Sequence, residues 1–274
     1  MTTELLLNKC RGSLVGGAVG DALGYAVEFS SLNEIRKIYG QHGITDYKLN
    51  SSGIAEFSDD TQMSLFTAEG LLNAIADNKT SADEITTYIT VAYKNWYLTQ
   101  IRPKSQLERS FLSRFRALWS QRAPGLTCMS ALQTIMSDSG GKVVNKSKGC
   151  GGVMRVAPIG LVYNKKEAFR LGCDCAALTH GHPSGYISGG MLSCIISCII
   201  EGMEIDEAIN CAISFAKDMD GYCECVDTVE KAVKLSKDDL VDTDAIRMIG
   251  EGWTSDEVLA IAIYSSLKYK DDFK

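Results

Sequence analysis

From Thr61 onward, Met63, Phe66, Gly70, Leu71, Ala74 and Ile75 follow a 3.6-residue period, and nowhere does apolar–polar alternation run long enough to anchor a sheet. A chain patterned this way folds by laying helical stripes against one another, so the expected class is all-α, a compact multi-helix bundle. The four prolines are spread over the whole length, and the Ala, Leu, Ile, Glu and Lys content suits helices. Gly12, Gly16 and Gly20 recur every four residues within Cys10 to Leu23, leaving one helix face nearly bare. That face predicts a central helix that a neighbour approaches closely. Ser81 caps a helix through Trp96, and further helices are expected over 107–119, 127–137, 166–176, 205–217, 225–235 and 255–268. The apolar run from Tyr186 to Ile200 is about 15 residues, broken by Ser and Gly, too short to span a bilayer. It reads as a buried helix.

With 274 residues, 45% hydrophobic and 23% charged, the chain can bury a sizeable core, and no linker or fixed-period repeat divides it. A formal charge of −6 argues against nucleic acid, since a phosphate backbone demands a basic face. An anionic small molecule remains compatible if backbone N–H groups hold it. The ten cysteines lack the dense framework of a small secreted domain, which fits a reducing cytoplasm. Cys173-x-Cys175 and Cys223-x-Cys225 lack the two-residue gap of zinc knuckles, and Cys194 and Cys198 read as small core residues.

Three segments carry chemistry. Ser58-Asp59-Asp60-Thr61 sets a hydroxyl and two adjacent carboxylates at the mouth of a helical segment. Oxygen ligands there can grip a hard divalent cation, but Ser58 is equally a good N-cap and the two aspartates complement the helix dipole. Gly149-Cys150-Gly151-Gly152, continuing through Met154-Arg155-Val156-Ala157-Pro158, is either a phosphate cradle of backbone N–H groups or a tight turn. Thr179-His180-Gly181-His182-Pro183 holds two of the three histidines, as caps and core residues or as a pocket wall.

Taken in order with Gly20-Asp21-Ala22-Leu23-Gly24, Glu28 and Ile249-Gly250-Glu251-Gly252-Trp253, these segments resemble the ADP-ribosylglycohydrolases, including the dinitrogenase reductase-activating glycohydrolases, across nearly the whole chain. The resemblance implies an all-α fold and a binuclear Mg2+ or Mn2+ site. It implies Ser58, Asp59 and Asp60 as metal ligands, with serine in place of the more frequent threonine. Asp59, Asp60 and Glu28 become the catalytic acids. Gly149, Cys150, Gly151, Gly152 and Met154 are expected to bind substrate around the diphosphate, and His180 to hold the distal ribose. Asp21 is read as a structural brace.

The implied activity is metal-dependent hydrolysis of the bond between ADP-ribose and a modified arginine or serine side chain, or a related conjugate. One departure bears on it. The family completes its metal site with a Gly-Asp-x-Asp-Ser/Thr segment beyond the helix that follows the Gly-Glu-Gly-Trp motif, and Lys274 falls where that helix ends. The expectation is thus one domain over residues 1–274, truncated at its C-terminus, a monomer with half a ligand set. The alternative is a non-catalytic relative that binds ADP-ribose or blocks a transferase. Asp242-Thr243-Asp244-Ala245 imitates the missing motif but precedes Trp253, and reads as a solvated turn opening a helix; Asp218-Met219-Asp220 is weaker still. The basic stretch Gln100-Ile101-Arg102-Pro103-Lys104 weakens the arginine linkage, and Arg109, Arg114 and Arg116 read as a solvated face.

Overall fold

The computed structural model describes residues 2–101, 110–137 and 145–272, and twelve α-helices account for most of them. They are α1 (Thr3–Gly24), α2 (Leu32–Tyr39), α3 (Asp59–Ala76), α4 (Ala82–Ile101), α5 (Leu126–Ser137) and α6 (Ala157–Gly160), then α7 (Lys165–Ala177), α8 (Pro183–Glu201), α9 (Ile205–Ala216), α10 (Cys223–Leu235), α11 (Asp242–Ile249) and α12 (Ser255–Lys268). Among the described residues the only β pairing is two isolated bridges, so the fold is all-α.

Two apolar clusters hold it together. One gathers Met63, Phe66, Ile89, Trp96, Leu132 and Leu171 from α3, α4, α5 and α7. The other gathers Met191, Cys194, Ile209, Val229, Leu259 and Tyr264 from α8, α9, α10 and α12. Each such fully buried side chain stabilises by about 1.5–3 kcal/mol, which makes these stripes the main determinant of helix placement. The α7–α8 pair joins the two clusters at close range. A Cβ on Gly172 would stand 2.7 Å from the Gly189 carbonyl oxygen, so only glycine lets these backbones meet. α8 has 19 residues, longer than its apolar run suggested and enough by length and composition to cross a membrane, yet about two thirds of it (67%) is buried inside the bundle.

Three expectations need correction. α1 is not central: none of its residues is buried, Leu5, Leu7 and Val15 are exposed, and a Cβ on Gly12 or Gly20 would meet nothing within 4 Å. A bare face permits close approach without supplying the partner. The helix expected over 107–119 is instead two 3-10 turns, Leu112–Arg114 and Arg116–Trp119, with residues 107–109 outside the described set. The cause is local. Glu69 draws the Leu112 N–H (2.9 Å) and the Ser110 hydroxyl (3.0 Å) onto α3, and Phe115 between the turns is extended. α2 was not anticipated, although its capping box is legible: Ser31 N–H donates to the Glu34 carboxylate (2.8 Å) and Glu34 N–H to Ser31 Oγ (3.3 Å).

Candidate metal and substrate site

The acids at the start of α3 are fixed by the chain on either side. Ser58 caps the helix, its Oγ accepting the Asp60 N–H at 3.1 Å. Asp21, near the end of α1, reaches across so that its carboxylate accepts the Ser58 N–H (2.9 Å), the Thr61 N–H (3.1 Å) and the Thr61 hydroxyl. The sequence reading of Asp21 as a brace matches this geometry. Arg122 secures the approach: its guanidinium lies over the Phe57 ring (4.9 Å) and pairs with Glu56, while its carbonyl accepts the Asp59 N–H. Nothing in the sequence marked Arg122, because its partners Glu56, Phe57 and Asp59 lie more than sixty residues away.

Ser58, Asp60, Thr61 and Ser64 from α3 open into a cavity of about 630 Å3. Asp21 and Glu28 line it from the α1 side, Cys150, Met154 and Ala157 from the glycine loop, Glu251, Gly252 and Trp253 from the loop before α12, and Val258 and Ala262 from α12. A larger cleft of about 1260 Å3, between Lys9, Ile205, Asp242 and Tyr269, holds none of the candidate catalytic, metal or substrate residues. The smaller cavity is therefore where the sequence-marked segments converge.

Its electrostatics are one-sided. Burial first, then the neighbouring Asp59, Asp21 and Glu28, push the Asp60 carboxyl up to about 8. Asp59 rises to about 7 for the same leading reason, partly offset by the Gly125 N–H that donates to its Oδ2 at 3.0 Å. Glu28 is raised by burial and by Asp21. Carboxylates crowded out of water in this way recover their ordinary acidity when a cation stands among them. This donor set, carboxylates plus the Ser58 hydroxyl, suits a hard divalent ion such as Mg2+ or Mn2+. Asp60 and Glu28 face the cavity; Asp59 is buried behind them.

The substrate-binding expectations divide. Cys150 and Met154 reach the cavity, whereas Gly149, Gly151, Gly152 and His180 are not on its wall. Gly152 serves packing, since a Cβ there would lie 2.5 Å from the Gly185 carbonyl oxygen on α8. His180 is fully buried behind the loop, where a Cβ on Gly151 would come within 2.9 Å of its ring. Burial and the nearby Arg155 hold His180 neutral, down to about 3, and its Nδ1 is 2.8 Å from Thr179 Oγ1. Arg155 itself is wholly buried over the Tyr93 ring (4.4 Å) and donates to Thr179 Oγ1 (2.7 Å) and the Cys175 carbonyl (2.9 Å). This assembly stiffens the loop from behind. His182 is a cap, accepting the Ser184 N–H at 3.1 Å, so neither histidine walls the cavity.

From the front, the loop is clamped to the segment before α12. The Cys150 N–H donates to the Trp253 carbonyl (3.2 Å), Ser255 N–H to the Lys148 carbonyl (2.8 Å), and Ser255 Oγ to the Gly149 carbonyl (2.7 Å). Glu257 accepts the Gly252 and Trp253 N–H groups. These bonds explain why two motifs about a hundred residues apart belong to one site. Trp253, half exposed at the cavity rim, stacks on Phe29 with ring centroids 6.1 Å apart.

Across residues 2–274 the sequence matches the family profile described as ADP-ribosylglycohydrolase. The chain belongs to that family. Like its fellow ADP-ribosylglycohydrolases, it is thereby placed among glycohydrolases of ADP-ribose conjugates, a family that is generally metal-dependent. A protein of Archaeoglobus fulgidus, described as uncharacterized, is 26% identical over 273 residues, spanning 96% of this chain and 78% of that protein. Within this ADP-ribosylglycohydrolase the imitation motif is excluded from the site. Asp242 lies in the first turn of α11, where its carboxylate accepts the hydroxyls of Tyr264 and Tyr269 (both 2.6 Å), and Asp244 pairs with Arg247. Asp218 and Asp220 also lie off the cavity wall. Arg114 and Arg116 are exposed, whereas Arg109 and the 102–104 stretch fall outside the described residues.

Proposed function

We propose that this chain hydrolyses the glycosidic bond between ADP-ribose and a modified protein side chain, serine or arginine, with Mg2+ or Mn2+ bound at the start of α3. The observation that carries the reading is the convergence of Asp60, Glu28 and Ser58 on one cavity wall in a family of ADP-ribose glycohydrolases, with Asp59 directly behind. Ser58, Asp59 and Asp60 would hold the metal. When bound, it would polarise water and ribose hydroxyls and stabilise charge developing at the anomeric carbon. The chain's own contributions are positional. The Asp21 brace fixes the α3 mouth, Asp60 or Glu28 takes the proton of the attacking water on a carboxylate oxygen, and Trp253, stacked on Phe29, offers an aromatic face at the rim.

A second reading draws on the glycine loop. Cys150 and Met154 of that loop reach the cavity beside Val258 and Ala262 of α12, and among the described residues the acids of the lining are Asp21, Glu28, Asp60 and Glu251. If those acids hold no working metal pair, the loop still offers a surface for ADP-ribose, and the protein binds it without turning it over. Release of ADP-ribose from serine-modified and arginine-modified protein, with Mg2+, Mn2+ or chelator, separates the two. Metal-dependent release that is lost in Asp60→Asn supports hydrolysis and names the linkage. ADP-ribose binding in chelator, with no release from either substrate, supports the binding protein.

A further inference from the structure

Far from the acids, a second cluster of ligating atoms spans two helices. Cys194 and Cys198 lie one turn apart on α8, which sets both side chains on the same face, and Cys211 on α9 meets them there. The three Sγ atoms lie within 4.8 Å of one another. Cys194 and Cys198 are fully buried, Cys211 is half-buried, and none is in a disulfide. Packing alone asks no such convergence, because a small thiol fills core space with any apolar neighbour.

The geometry suits a metal. A cation bound by thiolates at about 2.3 Å needs sulfurs roughly 4 Å apart, which modest rotamer changes reach from this arrangement. Three sulfurs with no oxygen or imidazole ligand are a soft donor set, unsuited to Mg2+ or Mn2+ and matched to d10 ions. We propose that Cys194, Cys198 and Cys211 bind one thiophilic d10 cation, Cu+ or Zn2+, and so pin α9 to α8. Cu+ can be satisfied by the three sulfurs alone, whereas Zn2+ would add a water through the accessible Cys211 side. Each thiol that becomes a ligand releases its proton to solvent. Burial, then the neighbouring Cys211, raises the Cys198 thiol, with the charge of Lys165 a smaller opposing effect, so the metal–sulfur bonds must drive the proton release.

The test uses the full chain, reduced and under anaerobic conditions. It is titrated with Cu+ against a chromophoric chelator and, separately, with Co2+ as the spectroscopic substitute for Zn2+. Wild type and the exposed-thiol control Cys223→Ser should each bind one equivalent of Cu+, and one equivalent of Co2+ that gives a sulfur-to-metal charge-transfer band, apart from any Co2+ without that band at the α3 acids. Cys211→Ser should lose both the band and the stoichiometric site. Saturation by Cu+ alone identifies a sulfur-only site; saturation by both ions identifies one that completes its shell with water. Cys198→Ala gives a second variant should Cys211→Ser fold poorly, with circular dichroism checking each. Failure of the folded wild type to bind either ion, or equal binding by folded Cys211→Ser and Cys198→Ala, overturns the site.

Discussion

Two helices of this protein open with a pair of aspartates, and the pairs lead different chemical lives. At the start of α3, Asp59 is buried and Asp60 half-buried at the cavity wall, near Glu28 and Asp21, and their carboxyls are pushed up to about 7 and about 8. At the start of α11, Asp242 is drawn below the ordinary carboxylate range by the Tyr264 hydroxyl first and then by Tyr269, with Lys268 adding its charge. Residue type and helix position are nearly the same. What differs is whether the surroundings already satisfy the charge, and only an unsatisfied pair has reason to bind a cation.

The contrast breaks first at activity. Asp60→Asn should cut ADP-ribose release by on the order of 100-fold, as loss of an important metal-site group does, while Asp242→Asn leaves the rate within about twofold. Equal losses would mean that α11 takes part in the site after all.

Stability against pH is the next test, and the α3 pair and Asp242 predict opposite signs. The raised Asp59 and Asp60 carboxyls contribute stability that is full below about pH 4 and is lost as pH rises through about 7 to 8 in metal-free protein. The lowered Asp242 contributes stability present above about pH 4 and lost as pH falls through its depressed value. Chemical denaturation from pH 4 to pH 9 should therefore show a decline that Mg2+ or Mn2+ suppresses and Asp60→Asn flattens. A metal-free curve flat over that range would contradict the burial argument.

Smaller effects sharpen the comparison. Asp21→Asn weakens charge-assisted bonds to Ser58 and Thr61 and should lower stability by about 1–3 kcal/mol, measured by urea unfolding. Activity should fall with it, because the α3 mouth loses its brace. Tyr264→Phe removes one hydrogen bond from Asp242 and should cost about 0.5–1.5 kcal/mol with no change in ADP-ribose release. A loss of activity there would link α11 to the cavity through α12.

Most of the fold was legible because helical period and capping are local. The stripe of α3 and the segments that became α5, α7, α9, α10 and α12 needed only their own residues to be recognised. The candidate site was legible in part. Ser58, Asp60, Glu28, Cys150 and Met154 line one cavity, and the glycine loop is backed by His180 and packed on α8. A glycine cluster reads the same whether it makes room for a ligand or for a carbonyl such as that of Gly185. Trp253 and Glu251 joined the cavity wall through contacts that span about a hundred residues.

By itself the sequence determined the all-α class, the helix starts and the residue types able to meet a hard cation, since these follow from spacing and side-chain chemistry. Only the tertiary structure decided which acids lose water. Burial is a property of what packs around a residue, and it separates Asp60 from Asp242. The same is true of the thiols. Cys194 and Cys198 looked like ordinary core residues until α9 brought Cys211 within 4.8 Å, a distance set by the packing of two helices and by nothing within either one.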